Sequence, residues 1–258
     1  MRKILILLYK IKIFKRIIPS VLKIIIKFNK NKFTVIKYNN FLLNLNLNNP
    51  IDREIYLKNE YELNSIKHLD NTIKKENISF FLDIGSHMGF YSMFIARNPG
   101  VNVYAFEPIE HNYNQLSENI RINNYNNIKK YNLALSDYKG KALMWVTNKK
   151  KTGGYSIFNE NDVELKKYNE RKIYKTSVLT DKGDNILKIE NKKIAVKIDV
   201  ERHEKLVLEG IKDLIKKNKI FLQIEIFDHL YQEIDSLLTK YNFQYLSKEG
   251  KDFFYKNY

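Results

Sequence analysis

Phe80-Phe81-Leu82-Asp83-Ile84-Gly85-Ser86-His87-Met88-Gly89-Phe90-Tyr91-Ser92 is the stretch whose reading decides the fold. An apolar run over 79–84 reads as a buried strand, ends near a carboxylate, and passes into a turn with glycines four positions apart. Residues 90–97 then read as a helix. Gly85 lets the backbone bend where a side chain would clash, and Gly89 permits close approach of a ligand or of the helix to the sheet. Ligands in open α/β folds collect beyond the carboxyl ends of the strands, which is where this loop lies.

The pattern continues outward in alternation. A turn at 98–100 precedes a strand at 101–106, a helix at 111–124 and a strand at 128–135. The ranges 141–146, 155–158 and 173–178 read as β excursions around a Lys-Gly-Gly loop at 149–154. A buried strand at 194–200 leads into a helix at 204–217, and a strand at 220–226 into a helix at 229–240. Two final runs, 242–247 and 252–256, form a hairpin. Upstream, 33–47 reads as a small β element and 52–69 as a strand-to-helix lead-in. The class is α/β, with a mostly parallel sheet covered on both faces and an antiparallel C-terminal hairpin edge. The chain divides into a basic apolar helical segment at 1–30, a β/α lead-in at 31–75 and the main domain at 76–258.

A second signal is Ala105-Phe106-Glu107-Pro108, at the end of the next strand and 24 positions after Asp83. A carboxylate there can accept two hydrogen bonds from a ribose diol, and Pro108 fixes the turn. Ser86, His87 and Met88 separate the two glycines, so the loop is not G-x-G-x-x-G. That disfavours nicotinamide or flavin, whose diphosphate must sit against the turn. A sulfonium methyl donor carries no diphosphate, and Asp83 would face its cationic methionine end.

The third signal is Val196-Lys197-Ile198-Asp199-Val200-Glu201-Arg202-His203-Glu204, with Glu225 ending the following strand. Asp199, Glu201, Glu204 and Glu225 converge on one rim, where carboxylates can deprotonate a hydroxyl, hydrogen-bond a sugar or hold a divalent cation. Asp199 and Glu225 are the candidate cation ligands. His203 is a candidate base; the competing reading for it and for Glu204 is a helix N-terminus.

Together these blocks resemble the FkbM-type methyltransferase family, S-adenosylmethionine-dependent enzymes generally assigned to O-methylation of sugars or natural products. The resemblance covers roughly 43–256. It rests on Asp52-Arg53-Glu54-Ile55-Tyr56 with Tyr61-Glu62, Asp83-Ile84-Gly85 with Gly89, and Phe106-Glu107-Pro108. It continues through Asn132-Leu133-Ala134-Leu135-Ser136-Asp137 with Gly140, Lys197-Ile198-Asp199-Val200-Glu201 with Glu204, and Val207-Leu208-Glu209-Gly210. It implies a Rossmann-like class I methyltransferase fold. By it, Asp83, Gly85, Gly89 and Glu107, with Ser86, His87 and Pro108 in the same turns, hold S-adenosylmethionine, and Ala134-Leu135 lie against the adenine. Asp199, Glu201 and Glu204 form the acidic rim, and the acceptor is a small molecule or glycan. Two positions depart from the family: Arg202 stands where glycine is usual, and His87 where asparagine is usual. The pair before the fourth strand is blurred to Leu179-Thr180-Asp181.

The net charge of +16 invites a nucleic-acid reading. Residues 1–30, however, hold nine basic residues and no acidic one, leaving +7 on the remaining 228. The rim lacks the Asn/Asp-Pro-Pro-aromatic turn of base amino-methylation, the chain has no cysteine for C5 chemistry, and an acidic rim repels phosphates. Nucleic acid is therefore the disfavoured acceptor. A non-catalytic binding protein of the same fold, with Arg202 as its lesion, is the reading from another class. Absence of cysteine also excludes a disulfide scaffold and a thiolate metal site. With 44% hydrophobic and 29% charged residues, the chain has material for a packed core. Its longest apolar run near the start, 4–8, is too short for a signal-peptide core or a membrane span. Pro19 is expected to break the 1–30 helix. That segment either lies on an anionic membrane surface or packs on the main domain with its lysines reaching water. The expected location is cytoplasmic, peripheral to the inner face of the membrane.

Overall fold

The computed structural model describes residues 2–28, 32–146, 156–157 and 174–258. The expected loop at 149–154 and most of 155–158 lie outside the described residues.

The central sheet contains β3 (Phe80–Ile84), β4 (Asn102–Phe106), β5 (Ile128–Tyr131), β10 (Lys193–Ile198) and β11 (Lys219–Glu225), all parallel, in the order β11-β10-β3-β4-β5. The hairpin β12 (Gln244–Glu249) and β13 (Asp252–Lys256) extends it, with β13 antiparallel to both β11 and β12. Between β3 and β10 the strand order reverses, which opens a crevice at the carboxyl ends. The central strands β3, β10 and β11 are short, buried, mostly apolar runs because both faces of the sheet are covered there.

One face carries α5 (Phe90–Ala96) and the N-terminal elements: β1 (Phe33–Tyr38), β2 (Phe41–Asn46), α3 (Pro50–Lys58) and α4 (Leu63–Lys75). Tyr38, Leu43, Ile55, Leu69, Phe81 and Phe254 share one buried cluster there, so the 31–75 lead-in packs into the same core as the sheet. The other cluster joins Leu82, Val196, Ile198 and Leu222 to α8 (Glu204–Gly210), α9 (Lys212–Lys217) and α10 (Tyr231–Lys240). Asparagines on α6 (Glu110–Asn123) complete the free edge of β2. Asn123 Oδ1 accepts from Leu42 N at 2.7 Å and Asn119 Oδ1 from Asn44 N at 2.7 Å. These amides satisfy an edge that otherwise lacks partners.

Four expectations are revised. The 52–69 range holds no strand: Asn49 caps α3 by accepting from Ile51 N, and Pro50 occupies the first helical turn. The 128–135 strand divides, because Asn132 Nδ2 donates to the Glu107 and Pro108 carbonyls and turns the chain away. Its second half, β6 (Ala134–Leu135), joins a separate sheet with β7 (Gly140–Val146), β8 (Ser156–Ile157) and β9 (Tyr174–Asp181). The 204–217 helix is interrupted at Ile211 between α8 and α9. Pro19 breaks nothing: it lies within α2 (Phe14–Phe28), and the interruption falls instead after α1 (Arg2–Tyr9). Ile18, Leu22 and Ile26 pack with Leu57, and that packing outweighs the one backbone bond the proline removes.

Candidate active site

Beyond the carboxyl ends of β3, β4, β10 and β11 lies a cavity of about 690 Å³, within the usual range for a cofactor-plus-substrate pocket. Its floor is the glycine turn. Gly85 N and Ser86 N both donate to Phe106 O at 3.0 Å, and His87 N donates to Glu107 Oε2 at 2.8 Å. The turn is thereby stapled to the end of β4, so that the first two sequence signals form one unit.

Gly85 has φ +82, and a Cβ there would stand 1.8 Å from the Asp199 carbonyl oxygen. Gly89 has φ +84 and would place a Cβ 2.3 Å from Leu116 Cδ1. Of the two roles open to Gly89, the structure assigns close packing of the helix start; it does not line the cavity. His87 is itself left-handed at φ 50, and its Nε2 lies 3.3 Å from Asn49 Nδ2.

Glu107 is buried. Its Oε1 accepts from Ile109 N at 2.8 Å and Asn112 Nδ2 at 3.3 Å, leaving one lone pair on Oε2 beyond the His87 bond. Burial pushes this carboxyl up to about 7 despite those donors. Asp83 accepts from Ser92 N at 3.0 Å through Oδ2, while its Oδ1 and the Ser86 hydroxyl are buried without a protein partner. Ile109, Leu133, Ala134, Leu135 and Met144 give the cavity an apolar wall beside Glu107. A carboxylate with spare acceptor capacity, an apolar slot and an orphaned carboxylate oxygen are what a ribose, a purine and an ammonium group require, so the residues present fit the methyl donor.

The opposite wall holds Lys197, Asp199, Glu201 and Glu225. Lys197 Nζ lies 2.9 Å from Asp199 Oδ2 and 4.8 Å from the centre of the Tyr91 ring. Burial works against this ammonium, but the charges of Asp199, Asp83 and Glu62 outweigh it and hold its pKa above the ordinary value. Asp199 shares a hydrogen bond with Glu225. Burial alone would raise Asp199; the Lys197 charge overcomes it and keeps Asp199 ionised. Burial and the Asp199 charge raise Glu225, so that the pair retains one proton. Glu201 is pushed up to about 8, by burial and then by the charges of Asp199 and Glu204.

The structure brings eleven of the sequence candidates into the cavity wall, Asp83 to Pro108 without Gly89, then Ala134, Leu135, Asp199, Glu201 and Glu225. It leaves out His203 and Glu204. The His203 ring lies 3.1 Å from Ser136 Oγ, and burial holds it down at about 4. Glu204 Oε1 accepts from Arg202 N at 3.0 Å, bracing the turn at the start of α8. Arg202 occupies its glycine-like position with φ 75, and its guanidinium lies 4.8 Å over the Phe227 ring, outside the cavity wall. Among the described residues no group of three or more metal-ligating side chains is present. Lys197 already supplies positive charge beside Asp199.

Sequence reasoning gave no role to Lys197, Tyr61, Glu62, Tyr91 and Asp252, all in the cavity wall. Lys197 carried a signal: a lysine inside the otherwise apolar strand 194–198 must be paired. Its register neighbours Asp83 and Gln223 complete a polar row across the sheet. Asp252 carried none, because β13 reaches this place only by inserting beside β11.

The buried carboxyls predict how stability depends on pH. Asp52, Glu107 and Glu204 are all raised to about 7, first by burial. The folded state therefore holds protons that the unfolded chain has released. This contribution is full below about pH 4 and is lost as pH rises through 7, at about 1.4 kcal/mol per group per pH unit within the window. His203 opposes it, contributing stability above 6.5 that is lost as pH falls towards 4. Three groups outweigh one, so the urea midpoint of the ligand-free protein should fall between pH 5 and 8. A midpoint that climbs over that range would contradict the carboxyl assignments.

No curated protein matches this chain. Similar solved structures include M. jannaschii TYW2 in complex with AdoMet, 12% identical over 89% of this chain and 85% of that one, with a TM-score of 0.45. A putative transferase from Pyrococcus horikoshii is 12% identical over 88% and 71%, with a TM-score of 0.47. The Pyrococcus abyssi tRNA (uracil-54, C5)-methyltransferase in complex with S-adenosyl-L-homocysteine is 10% identical over 88% and 44%, with a TM-score of 0.46. The family model for the methyltransferase FkbM domain matches residues 83–245, from the carboxylate that opens the glycine turn to the C-terminal hairpin. This chain belongs to the FkbM methyltransferase family and is an S-adenosylmethionine-dependent methyltransferase.

Proposed function

We propose that the protein methylates a hydroxyl oxygen of a sugar, a glycan or a related small molecule. The observation that carries this reading is Asp199, paired with Lys197 at 2.9 Å and hydrogen-bonded to Glu225, beside the glycine turn in the cavity that Glu107 also lines. When bound, S-adenosylmethionine supplies an electrophilic methyl group on a sulfonium. Glu107 holds the ribose, Asp83 and Ser86 the methionine end, and Ala134 and Leu135 the adenine, with Gly85, His87, Gly89 and Pro108 fixing the turns. Asp199 accepts the proton of the acceptor hydroxyl, and Lys197 keeps it ionised until it does. Most of the acceleration comes from positioning. Glu201 and Glu225, protonated near neutral pH, add hydrogen-bond donors and acceptors for a hydroxyl-rich ligand, which supports a sugar acceptor. His203 and Glu204 serve the turn that presents the rim.

We propose a cytoplasmic location, with residues 1–30 in peripheral contact with the inner face of the membrane. The segments 1–30, 31–75 and 76–258 then serve docking, acceptor-pocket walls and catalysis.

The test is calorimetric titration of S-adenosylmethionine and S-adenosylhomocysteine, with NAD as control, followed by a radiolabelled methyl-transfer screen on glycans. Binding of the first two, with transfer to a sugar hydroxyl, is expected; transfer to amines or RNA alone would overturn the acceptor assignment. Glu107→Ala should weaken S-adenosylmethionine binding by about 1–3 kcal/mol, the cost of leaving buried polar partners unpaired. Unchanged affinity in that variant would remove Glu107 from the ribose.

A further inference from the structure

We propose that the outward face of α1, the 10–13 turn and α2 docks this protein in the plane of an anionic lipid bilayer. The inference deepens the peripheral placement above and does not depend on what the acceptor is. Among the described residues, nine of the sixteen exposed large apolar side chains fall between Ile4 and Phe28. They are concentrated on one short segment, so scattered surface apolarity does not account for them.

α2 carries two apolar stripes, one packed on the body and one exposed. Ile18, Leu22 and Ile26, spaced by four, are buried and packed with Leu57. Ile17, Val21, Ile24, Ile25 and Phe28 follow the i, i+4, i+7, i+8, i+11 spacing of a single helix face and are 47–82% exposed. One stripe therefore fixes the helix to the body while the adjacent stripe is presented outward. α1 is fixed as well: the Arg2 guanidinium donates to Tyr56 O at 3.1 Å and to Asn59 Oδ1 at 2.8 Å. Ile4 and Leu7 on α1, with Ile11 and Ile13 in the turn, are exposed as well.

Charge selects the partner. Lys3, Lys10, Lys12, Lys15 and Arg16 are exposed on the same segment, and residues 1–30 contain no acidic residue. Apolar side chains that enter the interface, with cations that meet anionic headgroups, supply the two signals that stable peripheral binding needs. A second copy of the chain would bring the same positive charge against itself, so self-association is disfavoured. No described helix is long and apolar enough to cross a membrane. At 1.5 Å per residue, the 15 residues of α2 span about 22 Å, short of the roughly 30 Å hydrocarbon core, so α2 lies in the interface.

The experiment is flotation of the full chain with phosphatidylglycerol–phosphatidylcholine vesicles and, separately, with phosphatidylcholine alone. The comparison is a variant combining Ile17→Gln, Val21→Gln, Ile24→Gln and Phe28→Gln, all exposed positions. The wild type should float with the anionic vesicles, less so at high salt, and poorly with phosphatidylcholine. The variant should bind at least about 100-fold more weakly, as expected for losing four large apolar contacts. Equal flotation of the two proteins, or none by the wild type, overturns the proposal. So does a concentration-dependent dimer in light scattering that the variant abolishes without any vesicle binding. S-adenosylmethionine titration of both proteins separates this outcome from failure of the methyltransferase site, because none of the substituted positions lines the cavity.

Discussion

Asp199→Asn is expected to lower the rate of methyl transfer by about 10²–10⁴, the usual contribution of a positioned general base, while leaving S-adenosylmethionine affinity within a few-fold of wild type. The amide keeps a polar oxygen near Lys197 Nζ, 2.9 Å away in the wild type, but cannot take the hydroxyl proton. Single-turnover transfer and calorimetry on the same preparation read the two quantities independently. The pH profile sharpens the test. In the wild type, activity should follow the single proton held between Asp199 and Glu225, and Glu225→Gln should alter the profile without abolishing turnover. Full turnover in Asp199→Asn would move the base elsewhere on the rim, to Glu201 first, since it shares the cavity wall.

Lys197→Met should be the most destabilising of the cavity substitutions. The ammonium is buried among Asp199, Asp83 and Glu62, and removing it leaves carboxylates uncompensated in a buried, poorly screened site. Breaking a buried pair in this way costs about 3–5 kcal/mol. Urea unfolding at pH 7.5 should show that loss. At pH 5 the loss should shrink, because carboxyls without their cation bind protons more readily and shed their charge. A loss of equal size at both pH values would mean that the lysine acts through packing rather than charge.

The fold was legible wherever local chemistry coincided with tertiary outcome. The run 79–84, the glycine turn and the helix from Phe90 read correctly because a buried parallel strand, a positive-φ turn and a helix start each leave their own residue types. The 52–69 range misled, because its decisive signals, Asn49 and Pro50, stand just outside it. Pro19 misled for the opposite reason: a strong local rule yielded to packing of Ile18, Leu22 and Ile26 on the body. The 128–135 run split because Asn132 bonds carbonyls 24 and 25 positions upstream, which no local pattern reveals.

By itself the sequence determined the parallel α/β class, the family, and the carboxylates at the strand ends, since these rest on residue types at fixed local spacing. Only the tertiary structure decided which of those groups meet. It stapled the glycine turn to Glu107 through His87 N, buried Lys197 beside Asp199 and Tyr91, and turned His203 towards Ser136. It also gave α2 one stripe packed on Leu57 and another facing outward. The physical reason is the same in each case. Burial, and the long-range partner that offsets its cost, exist only once segments distant in the chain are packed together.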